Sequence, residues 1–141
     1  MAKVFWDTNL FIYLLEKHPL FGEIVRDLRR RMLVRGDQLY TSTLTVGEVL
    51  VRPLEMKDQA LYARYLGFFR QPGVTVMPFD LKAATLYAGV RGDRTIKAPD
   101  TIQLACAAAA GADLFITNDT RLSEKVIPGI HFISSLDRAP I

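Results

Sequence analysis

A chain of 141 residues, 50% hydrophobic and 23% charged, has the composition of one compact domain, here residues 1–141, and excludes a disordered or low-complexity protein. Its net charge of +3 permits contact with a polyanion without establishing it, and its longest apolar run, Leu104 to Ala112, falls short of the roughly 18 residues that a membrane span requires. The single cysteine, Cys106, lies in LACAAAA, where a thiol packs as a small hydrophobe and has no intrachain disulfide partner.

The opening residues reach Asp7 before a signal-like apolar region can develop, so nothing directs export and the cytoplasm is the expected compartment. KVFW, residues 3 to 6, predicts a strand, and Leu10 to Leu15 a short helix. Phe21, Ile24, Val25, Leu28 and Met32 recur at helical spacing, with Gly36 as the stop. LYTS, 39 to 42, is the next strand. Thr45 to Val51 predicts a helix that Pro53 interrupts, and Gln59 to Arg70 another, closed by QPG. VTVM, 74 to 77, is β-rich; Asp80 can cap a helix running to about Arg91. After the loop RGDRTIKAP, a small-residue helix spans Thr101 to Ala110. LFIT, 114 to 117, and HFIS, 131 to 134, complete the strands. Short strands alternating with helices imply a parallel sheet covered on both faces, a doubly wound α/β fold that binds ligands outside the carboxyl ends of its strands.

Acids collect at those ends. KVFW stops at Asp7, LYTS is followed by Glu48 in TLTVGEVL, PDTIQLA opens at Asp100, and LFIT runs into Asn118 and Asp119. Each has a local explanation: Thr45 and Glu48 fit a capping box, and Asp7, Asp100 and Asp119 are good N-caps. Together, however, four caps on one sheet edge would crowd like charges into one crevice. A hard divalent cation, Mg²⁺ or Mn²⁺, relieves that conflict, and the absence of paired Cys or His argues against zinc. Such a pocket suits metal-assisted phosphodiester hydrolysis. Asp113 competes with Asp119, but it precedes its strand and belongs at the opposite edge.

The set DTN at Asp7 to Asn9, TVGEVL around Glu48, APDTIQLACA around Asp100 and ADLFITND from Ala112 to Asp119 resembles the PIN-domain ribonucleases, most closely the VapC-type toxins of toxin–antitoxin pairs, over essentially the whole chain. The resemblance implies a three-layer fold with a central parallel five-stranded sheet. It implies that Asp7, Glu48, Asp100 and Asp119 are the catalytic, Mg²⁺- or Mn²⁺-holding acids of an endoribonuclease, with Asn9 and Thr117 in support. It also implies a homodimer and a cognate antitoxin that inserts a segment into the active-site groove. A non-cleaving PIN-like module that binds RNA or protein is the alternative, and a phosphatase using Asp7 as nucleophile is a third reading, weakened because DTN lacks a second acid two residues on.

Among the cations, Arg91, Arg94 and Lys97 approach Asp100 and are candidate RNA contacts, as is Arg52, whose place four residues after Glu48 otherwise predicts an ion pair with it. Arg29 to Arg31 predict a solvated helix face. Trp6, Phe68 and Phe69 read as interior residues rather than base-stacking surface, and His18 and His131 have no catalytic partner.

Overall fold

The computed structural model describes all residues, 1–141. Strands β1 (Lys3–Trp6), β2 (Gln38–Ser42), β3 (Val74–Met77), β4 (Leu114–Thr117) and β5 (Phe132–Ser135) form one sheet in the order β3-β2-β1-β4-β5, every neighbouring pair parallel. This is the expected doubly wound α/β architecture with five parallel strands.

The two-residue period of β1 and β4 divides the core. Val4, Trp6, Leu114 and Ile116 face one side, where they pack with residues of α1 (Thr8–Leu15), α2 (Gly22–Arg35), α3 (Thr43–Glu55) and α4 (Gln59–Phe69). Phe5 and Phe115, paired in register and stacked at 5.2 Å, face the other, under α5 (Leu81–Val90), α6 (Ala98–Ala110) and the short α7 (Thr120–Ser123). Trp6 is fully buried against Phe11, and Phe69 and part of Phe68 belong to the same core, so these rings are interior as expected. Cys106 is buried, and burial pushes its thiol up to about 11, which keeps it protonated and inert.

Several element boundaries correct the sequence reading. Ser42, not Thr45, caps α3: its hydroxyl accepts the Thr45 N–H at 3.3 Å, so the helix opens two residues early and Glu48 is no part of a capping box. Pro53 does not interrupt α3 but is buried near its end, where the loss is confined to its own missing N–H. Helix α6 begins at Ala98, with Pro99 in the first turn where a missing N–H costs nothing, and this moves Asp100 from the cap into the helix. Gly36 and Gly111, with φ of 74° and 66°, close α2 and α6 in the left-handed conformation that favours glycine.

Register positions the functional edge. Trp6 pairs with Ile116 and Phe5 with Tyr40, so Asp7, Ser42 and Thr117 emerge side by side at the carboxyl ends of the three central strands. There the strand order changes direction about β1, the place where doubly wound sheets open a crevice.

Candidate active site

Asp7, Thr8, Asn9, Glu48, Pro99, Asp100, Gln103 and Asp119 line one cleft of about 160 Å³ at this edge, with no hydrophobic side chain among them. Four acids that lie far apart in the sequence therefore meet, as do Asn9, exposed at the rim, and Thr117 beneath.

Asp7 is 9% exposed and is the deepest of the acids. Its backbone N–H continues the sheet by donating to Ile116 O at 3.0 Å, which holds it against β4. One carboxylate oxygen caps α1 by accepting the Thr8 N–H at 2.8 Å, and the other accepts the Thr117 hydroxyl at 2.8 Å. Thr117 in turn accepts the Asp119 N–H at 3.0 Å, so one buried hydroxyl couples the two acids. Burial raises the Asp7 carboxyl to about 6 against the hydrogen bonds from Thr117 and Thr8, and the nearby Asp100 and Glu48 charges push the same way. Asp100, in the first turn of α6, is also raised, first by burial and then by Asp119. The helix N-terminus favours its ionised form.

Two residues that sequence reasoning passed over organise the site. Thr8 donates its hydroxyl hydrogen to Glu48 Oε1 at 2.7 Å, fixing the glutamate across the cleft from Asp7. With that hydrogen used, Thr8 Oγ1 can only accept from its other neighbours, Gln103 Nε2 at 2.9 Å and Thr45 Oγ1 at 3.0 Å. Gln103 is buried and joins three elements: its amide also donates to Thr45 at 2.7 Å, and its carbonyl accepts the Ser42 hydroxyl at 2.5 Å. The available signal was spacing, since Gln103 stands one turn after Asp100 on the same helix face.

Asp119 caps α7, accepting the Arg121 N–H at 2.9 Å, and its carboxylate faces the Arg121 guanidinium at 3.3 Å. This hydrogen-bonded ion pair holds it below the usual carboxylate range. Asp113 lies at the opposite edge, where it accepts the Lys3 N–H at 2.8 Å, as its position before β4 requires.

The candidate RNA contacts divide. Lys97 lines a second cleft that adjoins the acids, Arg94 is exposed, and Arg91 donates to Ile96 O at 3.2 Å within its own loop. Arg52 pairs not with Glu48 but with Glu16 of the α1 terminus at 3.4 Å. Arg30 and Arg31 both pair with Asp27, and Arg29 and Arg31 are half-buried rather than solvated. His18 accepts the Leu20 and Phe21 N–H groups at 3.1 Å, a structural role, and His131 is exposed.

As the side chains stand, no group of three or more Asp, Glu, His or Cys is arranged to hold a metal ion. The donor set nonetheless fits a hard cation: four carboxylates, no thiolate or imidazole, and a polar cleft whose deepest acid is held up in pKa by burial and by the neighbouring Asp100 and Glu48 charges.

The model of the PIN domain matches residues 4–127. The chain belongs to the PIN-domain family. No curated protein sequence matches it. Among solved structures, this PIN domain is similar to a chain of VapBC2 from Rickettsia felis bound to a DNA fragment from their promoter, with a TM-score of 0.73 and 18% identity over 94% of this chain and 98% of that one. It is also similar to a chain of DNA-bound VapBC from Salmonella typhimurium, with a TM-score of 0.66 and 22% identity over 96% and 99%. A third similar chain comes from VapBC-5 of Mycobacterium tuberculosis, a member of the VapBC family of toxin–antitoxin systems, with a TM-score of 0.62 and 19% identity over 95% and 99%. At these identities the likeness shows a shared fold, and it extends over nearly the full length of each chain.

Proposed function

We propose that this PIN domain is a divalent-metal-dependent endoribonuclease acting as the VapC-type toxin of a toxin–antitoxin pair, with a cognate antitoxin as partner. The observation that carries the reading is the convergence of Asp7, Glu48, Asp100 and Asp119 on one polar cleft in a chain of this family. The full-length likeness to VapBC chains supports the toxin assignment and the antitoxin partner, and a homodimer is part of the same reading.

Asp7, Glu48, Asp100 and Asp119 are the residues that would hold Mg²⁺ or Mn²⁺. The chemistry such an ion supplies when bound is activation of water and neutralisation of charge at the phosphate. The chain's own residues set the stage for it. Thr117 and the α1 N-terminus fix both oxygens of Asp7, and Thr8, oriented by Gln103 and Thr45, fixes Glu48. The carboxylates are thus positioned before substrate arrives, which lowers the reorganisation needed at the moment of reaction. Asn9 in the acid cleft and Lys97 in the adjoining one would be the residues that meet the RNA strand.

Purified protein incubated with a broad transcript pool and Mg²⁺ or Mn²⁺ is expected to produce new RNA ends, and Asp7→Asn and Asp100→Asn to abolish them while remaining folded, because a neutral amide binds a hard cation poorly. Retained cleavage in both variants rejects the site. Folded parent that cuts nothing rejects the activity and leaves the binding-module reading.

A further inference from the structure

Beside the acid cleft lies a larger one, of about 380 Å³, lined by Thr95, Lys97, Asp100, Asp119, Arg121, Leu122, Glu124 and Lys125. It shares Asp100 and Asp119 with the first, so the two are continuous. Its cations are not equivalent. Lys125 is committed, its ammonium bound by Asp93 at 2.9 Å and by Thr95 Oγ1 at 2.7 Å, which ties the loop before α6 to the segment after α7. Lys97 is exposed, stands at the start of α6, and makes no hydrogen bond or ion pair with its side chain. Arg121, 69% exposed, makes its side-chain contacts with Asp119, at 3.3 Å, and also feels the Asp100 charge.

Resting on the ribonuclease reading, we infer that Lys97 and Arg121 form a subsite for an RNA backbone phosphate next to the one to be cut, and that Arg121 is transferred to it from Asp119. A polyanion entering a cleft lined by four carboxylates meets repulsion, and cations fixed just outside the acids offset it. The lining favours phosphate over base: it contains no aromatic ring and one apolar residue, Leu122, so it provides no stacking platform. Arg121 carries the planar fork that matches phosphate oxygens as well as carboxylate. Its partner Asp119 is also a candidate metal ligand, and a cation that draws on the same carboxylate oxygens weakens their exposed 3.3 Å contacts with Arg121. Occupation of the acid cleft and release of Arg121 toward the strand are therefore coupled. The Asp93–Lys125–Thr95 clasp holds the two cation-bearing segments together before anything binds.

The test has two arms. Mn²⁺ titrated calorimetrically into RNA-free protein should bind roughly two- to fivefold more tightly to Arg121→Gln than to the parent, because an exposed ion pair no longer competes for Asp119. Lys97→Gln should leave that affinity near the parent's. On single-stranded RNA with Mg²⁺, Lys97→Gln and Arg121→Gln should each lower kcat/KM roughly tenfold, mainly through KM, and each should flatten its dependence on salt by about 0.7 in the log–log slope. Arg121→Lys, which keeps the charge but not the fork, should restore the salt slope and only part of that loss, and Arg30→Gln, a distant surface change, should leave KM and slope at the parent's values. Unchanged KM and slope in both Gln variants overturn the phosphate subsite, and unchanged or weaker Mn²⁺ binding in Arg121→Gln overturns the transfer. A parent that cuts no RNA defeats the ribonuclease reading instead, and the Mn²⁺ arm still decides the Arg121–Asp119 exchange.

Discussion

Asp7 is a carboxylate placed where its charge is costly. The three residues before it, Val4 to Trp6, are fully buried, its pKa is raised to about 6 chiefly by burial, and no cation of the chain compensates. Between about pH 4 and 6 the folded protein holds a proton that the unfolded chain has lost, so stability falls as pH rises through that window, by on the order of 3 kcal/mol in the absence of metal. Asp7→Asn keeps the shape and can still accept from Thr8 and donate to Thr117. In EDTA at about pH 8 it should therefore melt several degrees above the parent, with the gap closing below about pH 4. A variant melting no higher than the parent would show that the buried charge carries no such cost. Asp100 departs from expectation in its role, since it is a first-turn residue rather than a cap. Its carboxylate is therefore not consumed by the backbone and is free for the cleft.

Among the elements, α6 does the most to build the site. Its first turn carries Asp100, and one turn later Gln103 reaches the end of β2, the start of α1 and the first turn of α3. Gln103→Leu would fill the space but leave the Ser42, Thr45 and Thr8 hydroxyls short of partners. We expect a loss of about 2 to 3 kcal/mol in urea unfolding. Because Thr8 then loses its orientation toward Glu48, cleavage should also drop roughly 10- to 100-fold. Unfolding with no loss of stability would show that these hydroxyls find other partners. The loop between α5 and α6 makes a different kind of prediction. Hydrogen bonds from Thr95 and Lys125 hold Asp93 at about 2, below the ordinary carboxylate value. Its contribution is present above about pH 4 and is lost as pH falls toward 2. Asp93→Asn should thus lower the melting temperature slightly at neutral pH, and the difference from the parent should shrink on acidification rather than grow.

For the molecule entire, parallel register is what makes one site out of scattered acids. Because all five strands run the same way, every strand-to-helix turn after β1, β2 and β4 opens on the same edge. Like charges gathered there destabilise the metal-free chain; the fold offsets this at Asp7 and Glu48 with hydroxyls and at Asp119 with the Arg121 guanidinium. Mg²⁺ or Mn²⁺ at about 100 times its dissociation constant should accordingly stabilise the parent by about 2.7 kcal/mol, with EDTA reversing the shift. The same addition should leave Asp7→Asn and Asp100→Asn nearly unmoved. Equal stabilisation of all three would mean that the ion binds elsewhere.

The amino-acid sequence by itself determined the alternation of strands and helices, and so the doubly wound sheet, because period-2 and period-3.6 apolar patterns each permit one way of burying the chain. It also determined which acids follow strand ends, and so that Asp119 rather than Asp113 belongs to the cleft edge. Local chemistry misled at Glu48 and Asp100, where capping rules are satisfied on paper but Ser42 and Lys97 take the cap positions. Only the tertiary structure decided that Thr8 holds Glu48, that Gln103 ties three elements together, and that Arg52 turns to Glu16 and Arg121 to Asp119. Most of these are contacts between residues 36 to 95 positions apart. A polar side chain there takes whichever partner the packing of the apolar faces brings within about 3 Å, and no periodicity along the chain encodes that choice.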